Sequence, residues 1–141
     1  MLKERELQAG ERTNIHRSNI SMQKRIFPDA YGIEHEHDGV SPVAWRISGY
    51  AIVRRGDEIV CVKQASNDKY ELPGGGIEVY ESLIEGVQRE FLEEVGIPVE
   101  IAEGTKPFYV HESLFYNEEQ EPKFFHSICL YYEGFIHHEL Q

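Results

Sequence analysis

The sequence predicts an α/β or α+β domain in which one amphipathic helix packs against a β-sheet. Its strands come from both sides of that helix along the chain. Three observations support this. Residues 83–95 carry apolar side chains at helical spacing between clear start and stop signals. Two β-rich runs precede them (RISGYAIVRR and EIVCVK) and two follow (FYVHESLF and FFHSICLYYEGFI). A length of 141 residues with 40% apolar content suits one domain with a sizeable core.

The elements follow in chain order. Residues 1–26 are polar and mixed in charge, with no clean apolar stripe, and read as an N-terminal extension to a domain spanning 27–141. A leader, a packing helix and a homodimer contact are the alternatives for that extension. Phe27 to Trp45, punctuated by Pro28, Gly32, Gly39 and Pro42, reads as loop with short strands. Within it, alternation puts His35 and His37 on one side, but no third ligand makes them a zinc site, so the run Glu34–Asp38 reads as a solvated loop. Arg46–Arg55 and Glu58–Lys63 are strands joined by the turn signal Gly56-Asp57. Tyr70–Leu72 is a short strand that enters Pro73 and a glycine turn, Gly74, Gly75 and Gly76.

Ser82 and Glu85 form a capping box, so the helix is placed at Leu83 to Val95, with Gly96 at the left-handed C-terminal position and Pro98 beyond it. Its core face is Ile84, Val87, Phe91 and Val95. Strands follow at Val99–Ala102, Phe108–Phe115 and Phe124–Ile136, with a polar loop at 117–123.

Composition narrows the function classes. No apolar run approaches the ~20 residues of a membrane span, and the N-terminus has no apolar signal region, so a cytoplasmic protein without a membrane partner is expected. Cys61 and Cys129 sit in apolar runs and read as buried reduced thiols. The net charge of −11 argues against a nucleic-acid partner. An acidic protein still suits a polyphosphate substrate if a divalent cation bridges carboxylate and phosphate.

The helix itself carries an anomaly. Glu90, Glu93 and Glu94 fall within an arc of roughly 100° beside the core face. Glu90 and Glu94 repel at i and i+4, and all three lie near the C-terminal end of the helix dipole. A cation between the carboxylates removes the penalty, and such hard oxygen ligands suit Mg²⁺ or Mn²⁺. The alternative is a solvated acidic face, which explains neither the arginine spacing nor the preceding glycines.

The run from Gly75 through Glu81, Arg89, Glu90, Phe91, Glu93, Glu94 and Gly96 to Ile97 resembles the Nudix box at every fixed position, and Leu72-Pro73-Gly74 resembles the family's lead-in. Tyr80 stands where many members carry glycine. The resemblance implies an α/β/α sandwich around a mixed sheet, usually closed by a C-terminal helix for which the tail after residue 136 leaves little room. It implies a Mg²⁺-dependent hydrolase of the phosphoanhydride in a nucleoside diphosphate linked to another group. Glu90, Glu94 and the carbonyl of Gly75 are then metal ligands, and Glu93 is a ligand or the base. Arg89 holds Glu93 in place. Glu81 either reaches a second metal or braces the loop, and Glu118, Glu119 and Glu121 are downstream candidates for the base. Gly74, Gly75, Gly76 and Tyr70 line the substrate, a nucleotide small molecule. Tyr50, Phe115 and Tyr116 are further candidates to stack a base. The rival is a Nudix-fold module that binds a nucleotide without turnover; such modules are expected to lose box carboxylates, and this chain keeps them all.

Overall fold

The computed structural model describes residues 24–137 apart from Ser66. The extension expected over 1–26 and the tail 138–141 lie almost wholly outside these residues. Strands β1 (Ile26–Pro28) and β2 (Glu34–Glu36) form an antiparallel hairpin. The main sheet is built on the long β3 (Val43–Arg55), with β4 (Glu58–Ile59) folded back on its end. β5 (Val62–Lys63) pairs with β6 (Tyr70–Glu71), and β7 (Gly74–Gly76) runs antiparallel to the middle of β3. After α1 (Leu83–Val95) come β8 (Tyr109–Tyr116) and β9 (Phe124–Gly134). β9 lies between β3 and β8, parallel to the first and antiparallel to the second, so the sheet is mixed.

The helix forms where the sequence places it. The Ser82 hydroxyl accepts the Glu85 N–H and the Glu85 carboxylate accepts the Ser82 N–H, closing both halves of the capping box. Gly96 ends it with φ 81°. Val87 and Phe91 are fully buried against Ala51, Val53 and Tyr132 of the sheet, with Val60, Val99 and Ile101 completing the core. A buried Phe or Val contributes about 1.5–3 kcal/mol of burial each. α1 is the one helix among the described residues and covers one face of the sheet.

Four local expectations change. The glycines form a strand, not a turn, because without side chains they fit between β3 and α1. The run Glu58–Lys63 divides, since the β3 edge it would follow is taken from Ser48 to Tyr50 by β7; Cys61, at the break, is exposed whereas Cys129 is buried. Val99–Ala102 buries Val99 and Ile101 as a strand would, but makes only the single bridge Glu100–Phe135 before the chain turns. His35 and His37 do share a side, where they bind Asp29 Oδ2 and the Ser41 carbonyl and not each other.

Candidate active site

Sheet and helix meet along β7. In an antiparallel ladder, alternate residue pairs face each other with both backbone groups. Ile77 N–H bonds Ile47 O and Ala51 N–H bonds Pro73 O, so the intervening pair, Gly75 and Gly49, also faces inward. Gly74 and Gly76 therefore turn their backbone groups outward, towards the helix carboxylates. Gly74 N–H donates to Glu94 Oε2 at 2.9 Å, and Gly76 O accepts from Arg89 Nη2 at 3.0 Å. The expected Gly75 carbonyl ligand thus points into the ladder, and the carbonyl of Gly74 is the one left on the carboxylate side.

Gly74 has φ 150°, and a Cβ there would lie 2.2 Å from Gly49 O. A Cβ on Gly75 would lie 2.6 Å from Glu90 Oε2, so bare backbone is what lets this carboxylate sit against the strand.

Arg89 organises the acids. Its Nε and Nη2 grip the two oxygens of Glu81 at 3.1 and 2.7 Å, a bidentate pair. Nη1 donates to Glu90 at 2.8 Å and reaches Glu93 only at 3.4 Å. The expected arginine–Glu93 clasp is therefore the weakest of its contacts, because the fork is already filled by Glu81 and Glu90. The Glu81 side chain is 10% exposed and also accepts the Glu78 N–H at 2.7 Å. Arg89 and that backbone bond hold its carboxyl below the usual range.

Glu94 is pushed the other way. Partial burial raises its carboxyl first, against the lowering by the Gly74 N–H, and the charges of Glu90, Glu71 and Glu93 raise it further. Crowded acids beside an open backbone carbonyl are the donor chemistry of a hard divalent cation. Glu90, Glu93 and Glu94 fit such an ion, although no three acidic, histidine or cysteine groups among the described residues already converge as a closed cage.

The family model for the NUDIX domain matches residues 45–140. The chain belongs to the Nudix family. A MutT-like protein from Streptomyces ambofaciens is 39% identical over 69 residues, 48% of this chain and 45% of that one, so the chain spans about half the length of this curated relative. Two solved structures share the Nudix fold. An ADP-ribose pyrophosphatase from Streptococcus suis matches with TM-score 0.50 at 20% identity, over 68% of this chain and 64% of its own. A Nudix hydrolase from Nitrosomonas europaea matches with TM-score 0.50 at 21% identity, over 77% and 53%.

The other residues singled out in this Nudix chain are dispersed. Tyr70, on β6, is 71% exposed. Of the downstream acids, Glu118 is held by Lys123 at 2.6 Å and by the Tyr116 hydroxyl. Glu112 pairs with His126 on neighbouring strands. Tyr116 stacks on His35. Sequence reasoning did not single out Glu71, whose charge acts on Glu94, or Arg46, which stands over Gly76. The alternation Arg46, Ser48, Tyr50 along β3 was the signal for the second.

Proposed function

We propose that the protein is a Mg²⁺-dependent hydrolase, with Mn²⁺ able to substitute, of the phosphoanhydride in a nucleoside diphosphate linked to another group. The observation that carries this reading is the Arg89 network, which sets Glu81, Glu90 and Glu93 beside the crowded Glu94 and the glycine strand. Glu90, Glu94 and the Gly74 carbonyl would hold the cation. Glu93, 59% exposed and with only the long Arg89 contact, is a further ligand or takes the proton of the attacking water. When bound, the cation supplies charge neutralisation at the diphosphate. Water attacks one phosphorus and the bridging P–O bond breaks, giving a nucleoside monophosphate and the phosphorylated second group. Arg89 keeps Glu90 oriented, and Glu81 braces Arg89 as a positioning residue. Tyr70 and the glycine strand flank the substrate. We place this activity in a cytoplasmic domain spanning 27–141; no helix among the described residues is long and apolar enough to cross a membrane.

The test is a turnover screen with Mg²⁺ against ADP-ribose, sugar nucleotides, dinucleoside polyphosphates and oxidised nucleoside triphosphates, with Glu94→Gln alongside and products identified by mass. Cleavage that disappears in the variant is the expected result. Binding without cleavage of any compound would move the protein to the class of nucleotide-binding modules.

A further inference from the structure

The α1 side of the sheet is covered at both ends and open between them. Side chains directly across a ladder point the same way, so pairing tells which residues share this side. A Cβ on Gly49 would lie 2.4 Å from Val87 of α1, so Gly49 and the odd-numbered residues of β3 face the helix. Three rungs lie beyond it towards the start of β3. They are Ile47 with Ile128 and Glu112, Trp45 with His126 and Leu114, and Val43 with Phe124 and Tyr116. The β1–β2 hairpin roofs the last rung, where Phe27 packs edge-on against Phe124 at 5.0 Å and His35 stacks on Tyr116 at 3.7 Å. In the other two rungs Trp45 is 72% exposed and Ile47 48%, and neither joins the core around α1. Contiguous open apolar surface of this kind marks a contact site.

The gap has the size of one more element. Six residues of β3 separate Gly49 from Val43, about 20 Å of strand. A helix is roughly 10 Å across, so after α1 and the hairpin each take half a width, one element can still lie across the strands. The chain supplies that element at this place. Lys24 pairs with Glu36 at 2.9 Å and the Arg25 carbonyl accepts the His37 N–H at 2.9 Å, so residues 1–23 join the chain at the hairpin. From there to Phe27, on the roofed rung, is at most about 10 Å. Three adjacent strands are about 10 Å wide, and 23 residues span ~34 Å even as a helix, so the segment is long enough to cross the gap. It carries Leu2, Leu7, Ile15, Ile20 and Met22. Charge favours it over a second copy. Residues 1–25 hold six Lys/Arg against three Glu, whereas two whole chains of net charge −11 repel.

We propose that residues 1–23 lie across this gap, their apolar side chains on Trp45 and Ile47, as a further layer on the α1 side of the sheet. The segment is then an integral part of the domain's packing, contributed from the stretch before the NUDIX match begins at residue 45.

Trp45 is the one tryptophan of the chain, so its fluorescence reads the gap in the intact protein. In the folded chain its emission should be blue-shifted and its quenching by acrylamide slow, both independent of protein concentration. Ile15→Asp with Ile20→Asp, or Leu2→Asp with Leu7→Asp, should in at least one case move both readings most of the way to those of the urea-unfolded chain, while circular dichroism stays that of the folded protein. Trp45→benzoylphenylalanine should cross-link on illumination to a peptide from residues 1–23 of the same chain. The cross-link needs no change in the segment, so it decides the matter where the aspartates unfold the protein. If Trp45 of the folded chain emits and quenches as an open indole, or position 45 cross-links to nothing in residues 1–23, the proposal falls. Protection that grows with concentration, with cross-links joining two chains, gives the face to a second copy and overturns it too.

Discussion

Glu94 and Arg89 make opposite electrostatic demands. The raised Glu94 carboxyl binds its proton more readily folded than unfolded. Metal-free stability should therefore fall as pH rises from the ordinary glutamate value through the raised one. Glu94→Gln removes that loss and can still accept the Gly74 N–H. The metal-free variant should match wild type near pH 4.5 and exceed it in Tm by pH 7, a gap that thermal melts in EDTA across that range would show. Glu81, held low by Arg89, acts in a different window, losing its contribution as pH falls below the ordinary value. With Mg²⁺, Glu94→Gln should lose turnover by orders of magnitude. Arg89→Lys keeps the charge but not the fork that spans Glu81, Glu90 and the Gly76 carbonyl. It should lower kcat by about 10–100-fold with little change in KM, as loss of an orienting group does; steady-state kinetics separate the two.

At the scale of the element, β7 and α1 form one device. Gly75→Ala places a methyl group where Glu90 Oε2 sits, 2.6 Å away, and that side chain can swing aside. The protein should fold and lose activity, as circular dichroism and turnover measured together would reveal. Gly74→Ala meets the Gly49 carbonyl at 2.2 Å and a φ of 150°, neither of which can yield cheaply, so it should fail at the fold itself. Ser82→Ala breaks the capping box and should cost about 1 kcal/mol in denaturant melts without changing turnover, since the cap lies at the other end of α1 from Glu93 and Glu94.

At the scale of the molecule, one apolar layer fixes the site. Phe91, fully buried, points from α1 into Ala51, Val53 and Tyr132, and lies one residue from Glu90. Phe91→Ala should cost about 3–5 kcal/mol and loosen the carboxylates together, so folding midpoint and activity should fall in parallel. The opposite face of the sheet carries tyrosines and a histidine, and Tyr131, half-buried among them, has its hydroxyl pushed up to about 12 by partial burial and so stays neutral.

The local chemistry of the site was legible in the residues. The ends of α1 follow from Ser82, Glu85 and Gly96, because caps are written within a few residues of each other. The core face follows from the spacing of Val87 and Phe91, and the clustering of Glu90, Glu93 and Glu94 from helical geometry. Pairings between distant segments were not legible. That Gly74–Gly76 would be a strand, that Glu58–Lys63 would divide, and that Arg89 would prefer Glu81 to Glu93 all depend on which segment occupies the edge of β3. Tertiary structure alone turned the Gly75 carbonyl inward and the Gly74 carbonyl outward, because ladder register is set by a partner that lies twenty-odd residues earlier in the chain. It alone brought Arg46, Tyr131, Tyr109 and His111 onto one face, since strand alternation gives each residue a side but only sheet order says whose side it shares.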